Sequence, residues 1–172
     1  MSHDAPSEHR AYAPEKLRCA VLTVSDSRDA KSDASGDLIA EALRGANHEV
    51  ALREIVRDTR AEINEWVLRC VARPDIDAVL VTGGTGASPR DQTIEAIAPL
   101  LQKELPGFGE IFRALSFAEI GPAAMLSRAL AGAAERTAIF VMPGSRAAVR
   151  LALERLILPE LPHLIGQLRR SA

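Results

Sequence analysis

Residues 79–93 (VLVTGGTGASPRDQT) gather the groups in this sequence best suited to holding an anion. Gly83, Gly84 and Gly86 follow directly on an apolar run. Glycines at the end of a strand let the backbone approach a ligand and take positive φ. The N–H groups of such a turn, with the Thr85 hydroxyl, can point at a phosphate. Two common phosphate motifs do not fit. A P-loop needs Lys and then Ser or Thr after its last glycine, where this chain has Ala87 and Ser88. A dinucleotide fingerprint read from Gly84 would put Pro89 where Gly or Ala belongs. The stretch is therefore another kind of anion cradle, or a tight turn and nothing more.

Two aspartates and an arginine stand near it in the chain order. Ser88-Pro89-Arg90-Asp91 reads as a helix start, with Ser88 as N-cap, Pro89 in the first turn and Asp91 as the capping-box acid. It reads equally as Arg90 on a phosphate and Asp91 on a Mg²⁺ or an acid/base task. Asp58 precedes a second capping box, Thr59-Arg60-Ala61-Glu62, where it complements a helix dipole or joins Asp91 as a metal pair. Ser25-Asp26-Ser27 closes an earlier apolar run, and Pro143-Gly144-Ser145 closes a later one ahead of a helical pattern. The four histidines, His3, His9, His48 and His163, have no ligand spacing, so no His/Cys metal site is expected. Cys19 and Cys70 lie inside apolar segments and read as buried free thiols.

These turns need a scaffold that brings them to one place. Strand patterns cover residues 19–24, 49–56, 78–82 and 137–142. Helical spacing links Leu38, Ile39, Ala42 and Leu43, then Ile63, Trp66, Val67 and Cys70, then Ile94, Ile97, Leu100 and Leu101. Further helices are expected over residues 108–117, over the alanine-rich residues 123–134 by propensity, and from Val149 to Leu156. A separate short helix is expected after Pro159. Strands alternating with helices imply βαβ units, hence a parallel sheet with right-handed crossovers. In such a sheet the carboxyl ends of the strands share one edge, and all four turns fall on it. Residues 1–16 show no periodicity and read as a flexible N-terminal tail before a domain spanning residues 17–172.

Composition limits the class of partner. The chain has 172 residues, 21 Lys and Arg against 23 Asp and Glu, and 3% aromatics. A net charge of -2 gives no field for a nucleic-acid backbone or an anionic membrane. Few aromatics leave little to stack bases on. No apolar run reaches the ~20 residues that span a bilayer, and the polar N-terminus lacks a secretory h-region. A cytoplasmic location is expected.

The ordered set of motifs resembles the MoaB/MogA family of molybdenum cofactor biosynthesis. It comprises Thr23-Val24-Ser25-Asp26, Ser35-Gly36, Asp58, Thr82-Gly83-Gly84-Thr85-Gly86 with Arg90-Asp91 and Thr93, Ser127-Arg128, and Met142-Pro143-Gly144-Ser145. The stretch Gly107-Phe108-Gly109-Glu110 with Glu119-Ile120-Gly121 looks closer to the MoaB branch. The resemblance implies a three-layer α/β/α sandwich around a mostly parallel sheet with a small antiparallel pair, and a strand rather than a helix at residues 125–131. It implies a trimer or hexamer, with contacts to other molybdenum cofactor biosynthesis proteins. The implied activity is adenylylation of molybdopterin by MgATP, giving adenylated molybdopterin and pyrophosphate. Asp58 and Asp91 match the family's catalytic aspartates, with Mg²⁺ as their client. Gly83, Gly84, Thr85, Gly86 and Arg90 would hold phosphate, and Ser25, Ser127, Arg128, Pro143, Gly144 and Ser145 would line the pterin pocket. Arg146 departs from the small residue or Pro that relatives often carry there. The alternative is a molybdopterin-binding scaffold or carrier without turnover.

Overall fold

The computed structural model describes residues 13–170. Most of the tail expected at residues 1–16 lies outside the described residues. The parallel core forms from β1 (Arg18–Val24), β2 (Glu49–Val56), β3 (Ala78–Thr82) and β6 (Thr137–Met142). Short β4 (Lys103–Glu104) and β5 (Leu130–Ala134) extend it in antiparallel fashion, giving the order β2-β1-β3-β6-β5-β4. β3 is buried along its whole length, as a continuously apolar central strand must be.

Alternation along the strands divides the core in two. Cys19, Val21, Leu80 and Phe140 face α1 (Ala34–Gly45), α4 (Pro106–Ile120) and the C-terminal helices. Ala20, Leu22, Val79 and Val81 face α2 (Arg60–Val71) and α3 (Thr93–Ile97). The result is the three-layer α/β/α sandwich with a mostly parallel sheet. Both cysteines are buried free thiols, and burial pushes Cys19 up to about 12 and Cys70 up to about 11.

Five local expectations need correction. The alanine-rich residues 123–134 are not a helix: a 3₁₀ segment, Gly121–Leu126, leads into β5. Small side chains serve close strand approach there, since a Cβ on Gly132 would collide with the Lys103 carbonyl. The strand implied at residues 125–131 thus exists but begins later, at Leu130. The third helix ends at Ile97 and passes into a 3₁₀ turn, Ala98–Leu100, that carries a proline. The helix after Pro159 is not separate. α5 (Arg146–Ala152) continues through a π turn, Leu153–Ile157, into α6 (Leu158–Arg169). Pro159 lacks an N–H for the carbonyl a turn back, and the wider π turn sits where that bond is lost. Finally, Ser88 does not open a helix: α3 starts at Thr93, with Gln92 before it. Among the described residues no helix is long and apolar enough to cross a membrane.

Candidate functional site

The strand order reverses between β1 and β3, because the chain runs from β1 outward to β2 and back to β3. Open α/β sheets bind ligands at the carboxyl side of such a point. A cleft of about 450 Å³ opens there, bordered by Ser25 after β1, residues 83–86 after β3, and Pro143 and Gly144 after β6. Asp91 and Ser127 complete its wall.

The glycines are required by close backbone packing. Gly83 takes φ +97°, and a Cβ there would strike the Val24 carbonyl oxygen. Gly84 takes φ +62°, and a Cβ there would strike Thr93 Oγ1 and come 2.6 Å from Asp58 Oδ2. The turn is held by its carbonyls. Gly84 O accepts from Thr93 N (3.0 Å). Thr85 O and Gly86 O accept from Arg128 Nε and Nη2 (2.8 Å each). Among the described residues, nothing accepts from the N–H groups of Gly84, Thr85, Gly86 or Ala87. Consecutive free amides beside a cleft are an anion-binding concavity.

Asp58 and Asp91 flank this turn. Asp58 Oδ1 accepts from Gln92 N (2.9 Å), while Oδ2 faces Gly84. Asp91 Oδ2 accepts from Ser88 N (3.0 Å) and lies 2.6 Å from the position a Gly86 Cβ would take. Burial raises the Asp58 carboxyl above its ordinary range. The Gln92 N–H opposes that rise, and the negative charges of Asp91, Asp26 and Glu95 reinforce it. Of the capping box expected at Thr59 only half forms: Thr59 Oγ1 accepts from Glu62 N (3.4 Å), but the Glu62 carboxylate accepts from Arg57 N (3.0 Å) and Thr59 N bonds to the Arg57 carbonyl.

Other expected residues divide between the cleft and its support. Ser25 borders the cleft, and its Oγ accepts from the N–H groups of Ser27 and Arg28 (3.3 and 3.1 Å). Arg90 is not among the cleft-lining residues. Its side chain is 80% exposed and donates to Asp26 Oδ2 at 2.7 Å. Ser145 caps α5 by accepting from Ala148 N (3.2 Å). Neither Ser145 nor Arg128, both expected to line the pocket, is among the cleft-lining residues; Arg128 instead donates to the carbonyls of Thr85 and Gly86.

The supporting roles of Asp33, Asp26, Ser35 and Glu95 are not read from the sequence. Asp33 is fully buried and accepts from Thr23 Oγ1 (2.9 Å), Gly36 N (2.9 Å) and Arg53 Nη2 (2.8 Å). Its position three residues before Gly36 is an N-cap signal, hidden in a polar stretch that reads as loop. Asp26 accepts from Asp58 N (3.1 Å) and from Arg90, so it fixes both, and those bonds lower its carboxyl below the ordinary range. Ser35 Oγ donates to Gly144 O (2.8 Å), tying α1 to the turn after β6. Glu95 pairs with Arg128. No local pattern announces these long-range partners. Beside the cleft, a groove of about 680 Å³ runs along β2 and shares Ser25 and Arg28 with it.

A family model described as "Probable molybdopterin binding domain" matches residues 20–163. The chain belongs to the MoaB/MogA family of molybdenum cofactor biosynthesis proteins. It is 50% identical over 166 residues to molybdenum cofactor biosynthesis protein B of Bacillus anthracis, covering 96% of this chain and 98% of that one. A crystal structure of a molybdenum cofactor biosynthesis protein B superposes with TM-score 0.90 at 49% identity, over 92% of this chain and 99% of the other. A MogA structure gives 0.80 at 29% identity, over 88% and 99%. Within the family, the similarity to the protein B structure is thus the greater of the two, as residues 107–121 suggest.

Proposed function

We propose that this family member binds molybdopterin in the cleft and adenylylates it with MgATP. The observation that carries the reading is the pairing of four free amides, at residues 84–87, with two flanking carboxylates, Asp58 and Asp91. An oxygen of the molybdopterin terminal phosphate attacks the α-phosphorus of ATP. The new P–O bond replaces the bond to the β-phosphate, and pyrophosphate leaves. Both reactants are anions, so the protein's work is positioning and charge stabilisation. The free amides of the glycine turn orient a phosphate, with Ser25 and Ser127 at the cleft wall. The groove along β2 supplies adjoining room for the second reactant, with Arg28 at the junction.

The donor set also fits Mg²⁺. Asp58 Oδ2 and Asp91 Oδ1 accept no hydrogen bond among the described residues, and a cation would offset the negative charges of Asp91, Asp26 and Glu95 that add to the burial-driven rise of Asp58. Mg²⁺ takes one or two protein carboxylates plus substrate phosphates. When bound, the ion would offset the charge gathering on the transferring phosphates. A second reading, a carrier without turnover, is favoured by one fact: each aspartate gives one oxygen to a local backbone N–H, a structural task.

Incubation with MgATP and molybdopterin, following AMP transfer, separates the two. Wild type is expected to form adenylated molybdopterin, and Asp91→Asn to lose nearly all turnover while still binding the pterin. Pterin binding with no product from wild type at saturating MgATP would leave the carrier. We extend the reading to self-association as a trimer or hexamer. Ile111, Phe117 and Ile120 on α4, with Met125 and Leu126 beyond it, are each more than half exposed. So many large apolar side chains on one helix and its extension suit a subunit interface. Sedimentation of wild type against Phe117→Glu tests this, with a smaller species expected for the variant.

A further inference from the structure

Arg128 is placed to act on the glycine turn. Its Nε and Nη2 donate to the carbonyls of Thr85 and Gly86 at 2.8 Å, and Nη1 and Nη2 donate to Glu95 Oε1 and Oε2. That leaves a single Nη1–H without a partner among the described residues. In a trans peptide the C=O and the next N–H point in opposite directions. No peptide among the described residues is cis. Holding Thr85 O toward Arg128 therefore aims the Gly86 N–H away from it. Holding Gly86 O there does the same for the Ala87 N–H. Both amides are among those with no protein acceptor.

We propose that Glu95 and Arg128 form a clamp that orients the amides of Gly86 and Ala87 toward a bound phosphate, with Glu95 a positioning residue acting through Arg128. The proposal rests on the reading of the turn as a phosphate cradle. Without Glu95 the guanidinium loses its two-pronged anchor and the carbonyls lose a fixed partner. The peptide planes then rotate, and the cradle must be ordered again at each binding event.

The deciding variant is Glu95→Gln, because its two possible effects have opposite signs. Removing a negative charge near the cleft strengthens anion binding if electrostatics alone matters. The clamp requires weaker binding. Inorganic pyrophosphate, titrated calorimetrically into the full chain, is the probe. Glu95→Gln is expected to bind it about three- to tenfold more weakly than wild type, and Arg128→Ala about tenfold or more. Guanidinium ion at low concentration is expected to restore part of the affinity of Arg128→Ala, whereas Arg128→Lys stays weak because an ammonium lacks the fork. Backbone ¹⁵N order parameters at residues 85–87 should fall in both Glu95→Gln and Arg128→Ala while those of the sheet hold. Unchanged or tighter pyrophosphate binding by Glu95→Gln, with the fold intact by melting, overturns the clamp. Absence of pyrophosphate binding by wild type overturns it as well. If wild type binds pyrophosphate, Glu95→Gln weakens it, and no adenylated product forms, the proposed reaction falls while the clamp stands.

Discussion

The two edges of the sheet treat charge in opposite ways. At the amino edge, the starts of β1, β2 and β3 share a network of ion pairs. Asp77 accepts from Arg18 N (2.9 Å) and Arg169 Nη2 (2.6 Å). Arg18 also meets Glu49 and Asp75, and Arg73 holds Asp75. At the carboxyl edge the amides of residues 84–87 have no acceptor among the described residues, and Asp58 is crowded by Asp26, Asp91 and Glu95. One edge pairs its charges with one another, although Arg18 Nε and His48 Nδ1 are buried there without a hydrogen-bond partner among the described residues. The other leaves donors and charge without a protein partner among the described residues, and the proposed function rests on that difference.

The largest effect expected from breaking this contrast is on turnover. Asp58→Asn should lower AMP transfer on the order of a hundredfold or more, measured as initial rate at saturating MgATP. The same change should raise the melting temperature near neutral pH. Because the folded-state pKa of Asp58 is raised, its charge costs no stability below the ordinary carboxylate range. The cost builds as pH rises from the ordinary carboxylate value to the raised one, and is full above it. The advantage of Asp58→Asn should therefore vanish in acid, and a melting series against pH checks both signs.

Next in size, Gly84→Ala should cost about 2–4 kcal/mol by denaturant unfolding, since it combines positive φ with collisions at Thr93 and Asp58. Gly45→Ala, with open space at its Cβ inside α1, should be neutral or stabilising.

At the amino edge, Asp77→Ala should cost about 1–3 kcal/mol by stranding Arg18 N and the Arg169 guanidinium, while leaving kcat unchanged. A large loss of kcat in that variant would erase the distinction between the edges. The smallest effect concerns the thiols. Cys19 and Cys70 should resist iodoacetamide in the native protein at mildly alkaline pH, followed by mass spectrometry, because burial keeps both protonated.

Legibility in the sequence followed the range of the interaction. Three of the parallel strands, β1, β3 and β6, were readable because burial on both faces leaves an apolar run, as in Ala78–Thr82, while β2, at the sheet edge, was readable from its alternation. The cap at Thr59 was readable because its partner is three residues away. The alanines of β5 misled because helix propensity is a weak preference, overridden here by the space between Leu101, Lys103 and Gly132. Ser88 misled for a related reason: Asp91 does bond back to its N–H, but in a turn that ends before the helix begins.

By itself the sequence determined the parallel α/β core, the glycine turn and the family, because each is written in local pattern or in an ordered set of short motifs. Only the tertiary structure decided which groups the cleft leaves open. Asp26 binds Asp58 and Arg90, Arg128 binds the carbonyls of a turn 42 and 43 residues earlier, and Ser35 binds Gly144 across 109 residues. A hydrogen bond between distant segments leaves no period or spacing in the chain. Whether a given arginine faces a ligand or holds the backbone that does is settled only when the strands bring those segments together.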